Sequence, residues 1–188
     1  MRRGAKAVNF GIIYGQSPFG LAKGLGITKE EAADFIERYF ATYPGVLGYL
    51  VDTLAMCRQQ GYVKTLFERR RAIQGVRPAP PGLREPKTGT LRMLNVPERT
   101  AVNAVIQGTA ADLIKLAMIR IHRRLREERS PARMLLQIHD ELLFETPADA
   151  AADLAHLVRE EMSAVAELSV PLKVDVKVGP TWAECEAV

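Results

Sequence analysis

The chain has 188 residues, of which 47% are hydrophobic and 26% are charged, a composition typical of an ordinary folded globular protein. It contains no apolar run of about 18 residues and no signal-peptide pattern, so we expect a soluble protein without a membrane partner. Cys57 and Cys185 lack metal-ligand spacing, which argues against a cysteine metal site and indicates a reduced, cytoplasmic compartment.

The net charge of +4 is the sum of a basic region and an acidic region of the chain. Residues 1–133 hold 23 Lys and Arg against 11 Asp and Glu, whereas residues 134–188 hold 3 against 11. A basic region followed by an acidic one is typical of a polyanion-binding surface beside a cation-binding one. The alternative is that these charges only solvate the surface.

The first predicted helix covers residues 2–15 and carries a stripe of side chains four residues apart, namely Arg2, Lys6, Phe10 and Tyr14. Its twelve-residue span corresponds to roughly 18 Å. An extended nucleoside triphosphate has the same order, with phosphates at one end and sugar and base at the other. The cations would hold phosphates at the helix N-terminus, and the rings would pack on sugar and base. The alternative is an amphipathic helix with core-facing rings and solvated cations.

Helices dominate the next part of the chain. A short helical piece follows a break at residues 15–18. Thr28 and Glu31 form a capping box that opens a second helix. A third is expected to end at Gly61.

The middle of the chain mixes strand, turn and loop signals. Residues 62–67 predict a strand, and the arginines at 69–71 indicate a solvated turn, with phosphate contact as the alternative. Residues 75–93 are rich in proline and lack periodicity, which predicts a basic surface loop. Asn95 begins a helix that is expected to bend at Gly108.

Arg99, Asn103 and Gln107 lie four residues apart on one face of that helix. All three can donate hydrogen bonds to minor-groove acceptors, which look nearly the same at every base pair. The stripe could therefore check the shape of a duplex without reading its sequence. The alternative is a set of buried amides that cap neighbouring loops.

Two apolar strands, 133–138 and 142–145, flank His139, Asp140 and Glu141 and predict a hairpin. Carboxylates at such a tip are costly unless they are exposed or bind a cation, and Mg²⁺ accepts one or two carboxylates together with substrate phosphates. Adjacent strand residues point to opposite faces, so both need not bind one ion. No second acidic motif of this kind occurs in the chain.

The last elements predicted are a helix from Thr146 to about Leu168, with Thr146 as its cap, and a half-buried strand over residues 172–178. The expected fold class is mixed α/β (α+β), with helices before an antiparallel sheet.

Four motifs, in order, resemble those of family A DNA polymerases. The first, Arg-Arg-x-x-Lys-x-x-x-Phe-Gly-x-x-Tyr-Gly at 2–15, resembles motif B, and Gln-Ile-His-Asp-Glu at 137–141 resembles motif C. The stretches 61–66 and 107–112 also match the family. The resemblance covers essentially the whole chain.

This resemblance implies a DNA-directed DNA polymerase that adds deoxynucleotides to a primer 3′ end on a DNA template with Mg²⁺. The implied triphosphate ligands are Arg2, Arg3 and Lys6, with Lys6 foremost and a candidate proton donor to pyrophosphate. Phe10 would stack on the nucleotide, and Tyr14 would occupy the template stacking position.

The resemblance also implies contacts with primer–template DNA and a catalytic centre. The implied DNA contacts are Arg99, Asn103 and Gln107, with Gln137 and His139 near the primer terminus. Asp140 would be the metal-binding catalytic carboxylate, and Glu141 would support the site.

By the same resemblance, residues 1–60 would form a fingers portion and residues 61–188 a palm portion with an antiparallel sheet. The family's motif A, which supplies a second metal-binding aspartate, is absent, so we expect a fragment that is inactive alone. Glu68 also stands where glycine is common. The expected protein is monomeric and works in the bacterial cytoplasm at the nucleoid.

Two other functions compete with this reading. A non-catalytic nucleic-acid-binding module would keep the primer–template groove without the chemistry. A metal phosphohydrolase built on His139 and Asp140 would need further histidine ligands, and His122 and His156 stand in no matching motif.

Overall fold

The computed structural model describes residues 2–78 and 93–188, without the side chains of residues 2–4 and 7. Helices and three two-stranded antiparallel sheets make up this part of the chain, which confirms the predicted α+β class. The chain divides into two compact units, Met1–Thr109 and Ala110–Val188. Most of the predicted loop 75–93 lies outside the described residues.

The first unit opens with four helices: α1 (Arg2–Ile13), α2 (Pro18–Leu25), α3 (Lys29–Thr42) and α4 (Pro44–Gln60). The predicted capping box is present, because the Glu31 amide donates to Thr28 Oγ1 at 3.1 Å and the Thr28 amide donates to the Glu31 carboxylate at 2.8 Å. Gly61 ends α4 in the left-handed region, with φ of 75°, as predicted.

A short hairpin, β1 (Tyr62–Lys64) and β2 (Arg70–Ala72), follows α4. The predicted strand over 62–67 is thus too long, because the chain turns at Thr65, whose carbonyl accepts from the Glu68 amide at 3.0 Å. The three arginines 69–71 are exposed, as predicted, but they do not form the predicted turn. Arg70 lies in β2, with its guanidinium 4.8 Å from the centre of the Tyr62 ring.

Helix α5 (Val96–Glu127) continues through Gly108 without a break, so the segments predicted on either side of a bend there form one helix. By length and composition alone α5 could cross a membrane, with a mean hydropathy of 1.3 over 18 residues. Core helices of soluble proteins pass the same test. The expected lack of a membrane partner stays a prediction.

The second unit contains the rest of α5, the hairpin β3 (Arg133–Ile138) and β4 (Glu141–Glu145), α6 (Ala151–Ser163), and the short pair β5 (Lys177–Val178) and β6 (Glu186–Ala187). Each unit has its own apolar core. The core of the second unit contains Ile121 and Leu125 of α5 and Leu157 of α6.

Three predictions at the C-terminal end need correction. The predicted cap residue Thr146 does not cap a helix, because a 3₁₀ turn at Ala148–Ala150 intervenes and α6 begins at Ala151. Helix α6 ends at Ser163 rather than near Leu168. The predicted alternation of more and less buried residues over 172–178 is present. Only Lys177–Val178 is hydrogen-bonded as a strand, because among the described residues its one partner is the two-residue strand β6.

Candidate nucleotide and nucleic-acid site

The predicted stripe on α1 is a continuous array of side chains. The Lys6 Nζ lies 5.8 Å from the centre of the Phe10 ring, and the Phe10 and Tyr14 ring centres are 5.9 Å apart. Lys6 is exposed and Phe10 is 43% exposed, whereas Ile12 on another face is buried. The alternative in which Phe10 faces a core is therefore wrong. The side chains of Arg2 and Arg3 lie outside the described part of the chain.

Helix α1 is held against α3 by a side-chain hydrogen bond. The Tyr39 hydroxyl donates to Asn9 Oδ1 at 2.6 Å. Burial raises the pKa of Tyr39, so the hydroxyl keeps its proton and remains a donor at neutral pH. Because Asn9 directly precedes Phe10, this bond restrains the orientation of the array.

Gly15 joins the end of the array to the start of the α5 stripe. Its φ is 76°, and a Cβ there would lie 2.8 Å from Leu94 Cδ1 and 3.1 Å from Arg99 Cγ. The Arg99 stem thus packs directly on the backbone that follows Tyr14. A residue with a side chain at position 15 would push Arg99 away.

The remaining stripe residues lie along α5 beyond Arg99. Arg99 and Gln107 are exposed, and Asn103 is partly buried. The Asn103 Oδ1 is buried and accepts no hydrogen bond from any residue that the structure describes. The alternative for the stripe required buried amides that cap neighbouring loops. The Asn103 amide oxygen caps no loop among the described residues.

The motif stretches 61–66 and 107–112 meet in the first unit. The Leu66 amide donates to Thr109 Oγ1 at 2.9 Å, and Arg69 Nη2 donates to the Gly108 carbonyl at 3.1 Å. A Cβ at Gly108 would lie 2.7 Å from Thr65 Cγ2, so glycine permits this close approach. These contacts hold the turn after β1 against α5.

A buried carboxylate stabilises the first turn of α5. The Glu98 side chain is fully buried and accepts from the Asn95 amide at 2.9 Å, while the Glu98 amide donates to Asn95 Oδ1 at 2.9 Å. Arg77 Nη2 lies 2.9 Å from Glu98 Oε2, and Arg58 Nη2 lies 3.6 Å from Oε1. Arg77 also donates to the Met93 carbonyl at 2.6 Å, which joins the described residues on either side of segment 79–92.

In the second unit the β3–β4 hairpin carries the remaining predicted residues. Ile138 pairs with Glu141, so His139 and Asp140 form a two-residue turn. His139 has a φ of 53°, in a region that residues other than glycine rarely adopt. Gln137 Nε2 donates to the His139 carbonyl and stabilises this conformation.

Asp140 and Glu141 are both exposed at this end of the hairpin, and neither forms an ion pair with a described residue. Glu141 is the first residue of β4 rather than part of the turn. No group of three or more metal-binding side chains occurs in the described part of the chain. An exposed carboxylate such as that of Asp140 is chemically suited to Mg²⁺, which takes one or two protein carboxylates when phosphates supply its other ligands.

The structure thus groups the predicted residues within each unit. Lys6, Phe10 and Tyr14 form one array in the first unit, which continues through Gly15 to Arg99. The hairpin of the second unit gathers Gln137, His139, Asp140 and Glu141. Sequence reasoning missed Asn9, Tyr39 and the buried cluster around Glu98. Only Glu98 carried a signal, since it stands three residues after the cap residue Asn95.

Comparisons with known proteins identify the family of this chain. Residues 1–184 match DNA polymerase family A. DNA polymerase I of Geobacillus stearothermophilus is 52% identical over 185 residues, which cover 97% of this chain and 20% of that protein. DNA polymerase I of Bacillus subtilis is 47% identical over 182 residues, with the same coverage of each chain.

One similar solved structure is the POL domain of Pol1 from M. smegmatis in complex with DNA primer-template and dNTP. It is 40% identical, with a TM-score of 0.79 over 92% of this chain and 29% of that chain. The chain therefore belongs to DNA polymerase family A. It spans about a fifth of the length of its curated relatives.

Proposed function

We propose that this chain is part of a DNA-directed DNA polymerase that adds deoxynucleotides to a primer 3′ end on a DNA template. The observation that carries the proposal is the array of exposed Lys6, exposed Phe10 and partly exposed Tyr14, in the order that a triphosphate requires. Similarity to a polymerase domain bound to DNA primer-template and dNTP supports it.

In this proposal the α1 array binds the incoming nucleotide. Lys6, with Arg2 and Arg3, holds phosphate oxygens by charge-assisted hydrogen bonds, and Phe10 stacks on the nucleotide. Tyr14 occupies the template stacking position. Transfer joins the primer 3′ oxygen to the α-phosphorus and releases pyrophosphate, to which Lys6 is the candidate proton donor.

We place primer–template DNA along Arg99, Asn103 and Gln107, with Gln137 and His139 near the primer terminus. The exposed Arg99 guanidinium and Gln107 amide, and the partly buried Asn103 amide, would donate to groove acceptors that are nearly the same at every base pair. In the resulting assignment of regions, residues 1–60 form the fingers portion and residues 61–188 the palm portion.

Asp140 is the proposed catalytic carboxylate, and Glu141 supports it. Asp140 would hold Mg²⁺, which supplies neutralisation of the phosphate charge during phosphoryl transfer. Because the chain carries one such acidic motif, we propose that it does not polymerise alone. As part of a longer polymerase it would act as a monomer at the nucleoid in the bacterial cytoplasm.

The sharpest test replaces the matching segment of the Geobacillus stearothermophilus polymerase with this chain and measures Mg²⁺-dependent primer extension. We expect the chimera to extend a primer, Asp140→Asn to abolish extension, and the exposed Asp149→Asn control to leave it unchanged. Lys6→Ala should raise KM for nucleotide and lower kcat. Extension by the Asp140 variant would refute the assigned role.

The single acidic motif also supports a second candidate for the chain by itself, a non-catalytic module that binds primer–template DNA. For the 188-residue chain alone we expect salt-sensitive DNA binding without extension. Extension by the isolated chain that disappears in Asp140→Asn would show a complete site and contradict the proposed need for another carboxylate.

A further inference from the structure

Helix α5 presents an exposed face of cations in the second unit. This face consists of Lys115, Ile119, His122, Arg123 and Arg126, called here the cationic stripe, and all five side chains are exposed. Steps of three and four residues place them on one side of the helix.

The buried residues of the same helix segment lie on its opposite side. Ala117, Ile121 and Leu125 are at most 6% exposed and belong to the core of the second unit. Packing of that core therefore fixes the direction in which the cationic stripe faces. The stripe is a formed surface of the folded unit.

The charges of the cationic stripe are not neutralised by their neighbours. Arg124, which lies outside the stripe, binds three of the nearby carboxylates, namely Glu128 at 2.8 Å, Glu160 at 2.6 Å and Glu161 at 3.0 Å. No ion pair joins Lys115, Arg123 or Arg126 to another residue in the described ranges 2–78 and 93–188.

The length and composition of the stripe fit a nucleic-acid backbone. Eleven residues of helix separate Lys115 from Arg126, which is roughly 16 Å. One DNA strand places a phosphate about every 3.4 Å along the duplex axis, so the stripe spans about five of them. The stripe contains no aromatic side chain of the kind that often anchors a protein interface, and Ile119 is its single apolar member, so its row of cations favours a linear polyanion.

We propose that the cationic stripe is a second DNA-binding surface, which contacts the phosphate backbone without reading sequence. It is separate from the residues proposed to bind primer–template DNA and takes no part in the chemistry. It would increase the total affinity of the protein for duplex DNA and make that affinity more sensitive to salt.

The test measures binding of a blunt DNA duplex to the full 188-residue chain over a series of salt concentrations. The test variant is Lys115→Gln/Arg123→Gln/Arg126→Gln. The control, Lys23→Gln/Lys29→Gln/Lys177→Gln, removes the same charge from exposed lysines elsewhere. We expect the test variant to lower the slope of log affinity against log salt by about 2 to 3, with each lost phosphate contact contributing about 0.9. The control should change the slope by less than about 1.

A charge-preserving variant, Lys115→Arg/Arg123→Lys/Arg126→Lys, should keep the wild-type slope, and circular dichroism checks that every variant is folded. Equal slopes for the test variant and the control would overturn the proposal. The proposal would also be overturned if the test variant kept wild-type DNA binding but lost binding to anionic vesicles or to an acidic protein. Because this readout needs no catalysis, it stays decisive even if the chimera shows no extension.

Discussion

Gly108 and Thr65 lie against each other where the turn after β1 meets α5. A Cβ at Gly108 would be 2.7 Å from Thr65 Cγ2 and 3.4 Å from Arg69 Nη2. Two hydrogen bonds surround this contact, from the Leu66 amide to Thr109 and from Arg69 to the Gly108 carbonyl. Any side chain at position 108 would therefore compete with the turn for space.

Replacing Gly108 should lower stability through this overlap. We expect Gly108→Ala to cost about 1–3 kcal/mol of unfolding free energy, the usual range for overpacking, as measured by urea denaturation. Thr65→Ser removes the methyl group and keeps Oγ1, which accepts from the Arg69 amide. The double variant should recover most of the loss, and a loss that persists in full would show that the overlap is not the cause.

A second glycine prediction concerns the link between Gly15 and Arg99. Gly15→Ala should destabilise the chain by about 1–2 kcal/mol, because position 15 has a φ of 76° and its Cβ would meet Leu94. It should also weaken primer–template binding, since Arg99 would shift. The matched control is Gly45→Ala on α4, where a Cβ meets no atom within 4 Å. This control should stabilise the chain by up to about 1 kcal/mol.

The buried Glu98 should contribute more to the free energy of unfolding than a surface ion pair does. Glu98→Gln leaves Arg58 and Arg77 facing a neutral amide, and we expect a loss of about 2–3 kcal/mol in thermal or urea unfolding. Asp34→Asn is the control, because the Arg38–Asp34 pair has side chains that are 72% and 67% exposed. That change should cost less than about 0.5 kcal/mol. Equal losses would contradict the structural role assigned to Glu98.

The carboxylates around Arg124 predict a pH dependence. The hydrogen bond from Arg124 lowers the pKa of Glu160 below its ordinary value of 4.5. A group with a lowered pKa stabilises the fold above its unfolded pKa, and this contribution is lost as the pH falls through the folded pKa. Glu160→Gln should therefore lower Tm at pH 7.

Below pH 4.5 the Tm difference between wild type and Glu160→Gln should narrow with falling pH. Glu167→Gln, at an exposed carboxylate without an ion pair among the described residues, should show a much smaller difference at either pH. If the Tm difference between wild type and Glu160→Gln is the same at pH 7 and pH 3, ionisation of Glu160 does not contribute to stability in this way.

Predictions from the sequence succeeded where the signal was local. The capping box at Thr28, the end of α4 at Gly61 and the hairpin around His139 depend on residues within a few positions of one another. Predictions failed where a distant partner decides the outcome. The strand predicted over 62–67 stops at Lys64, where the chain turns at Thr65 and this turn is held by contacts of Thr65 and Leu66 with residues 43 positions away.

The α1 stripe shows the same division between sequence and structure. Spacing by four residues determined that Lys6, Phe10 and Tyr14 share one face, since this follows from helix geometry alone. Only the tertiary structure decided that Lys6 and Phe10 on this face are exposed and that Asn9 is bound to Tyr39, 30 residues along the chain.

Likewise, the order and spacing of its motifs determined the family of this chain. The folded structure decided which carboxylates are available to bind a cation. Glu98 is buried between two arginines, and Glu160 is held by Arg124, whereas Asp140 and Glu141 remain exposed. The reason is physical: the contacts that neutralise a carboxylate come from residues far apart in sequence, and only folding brings them together.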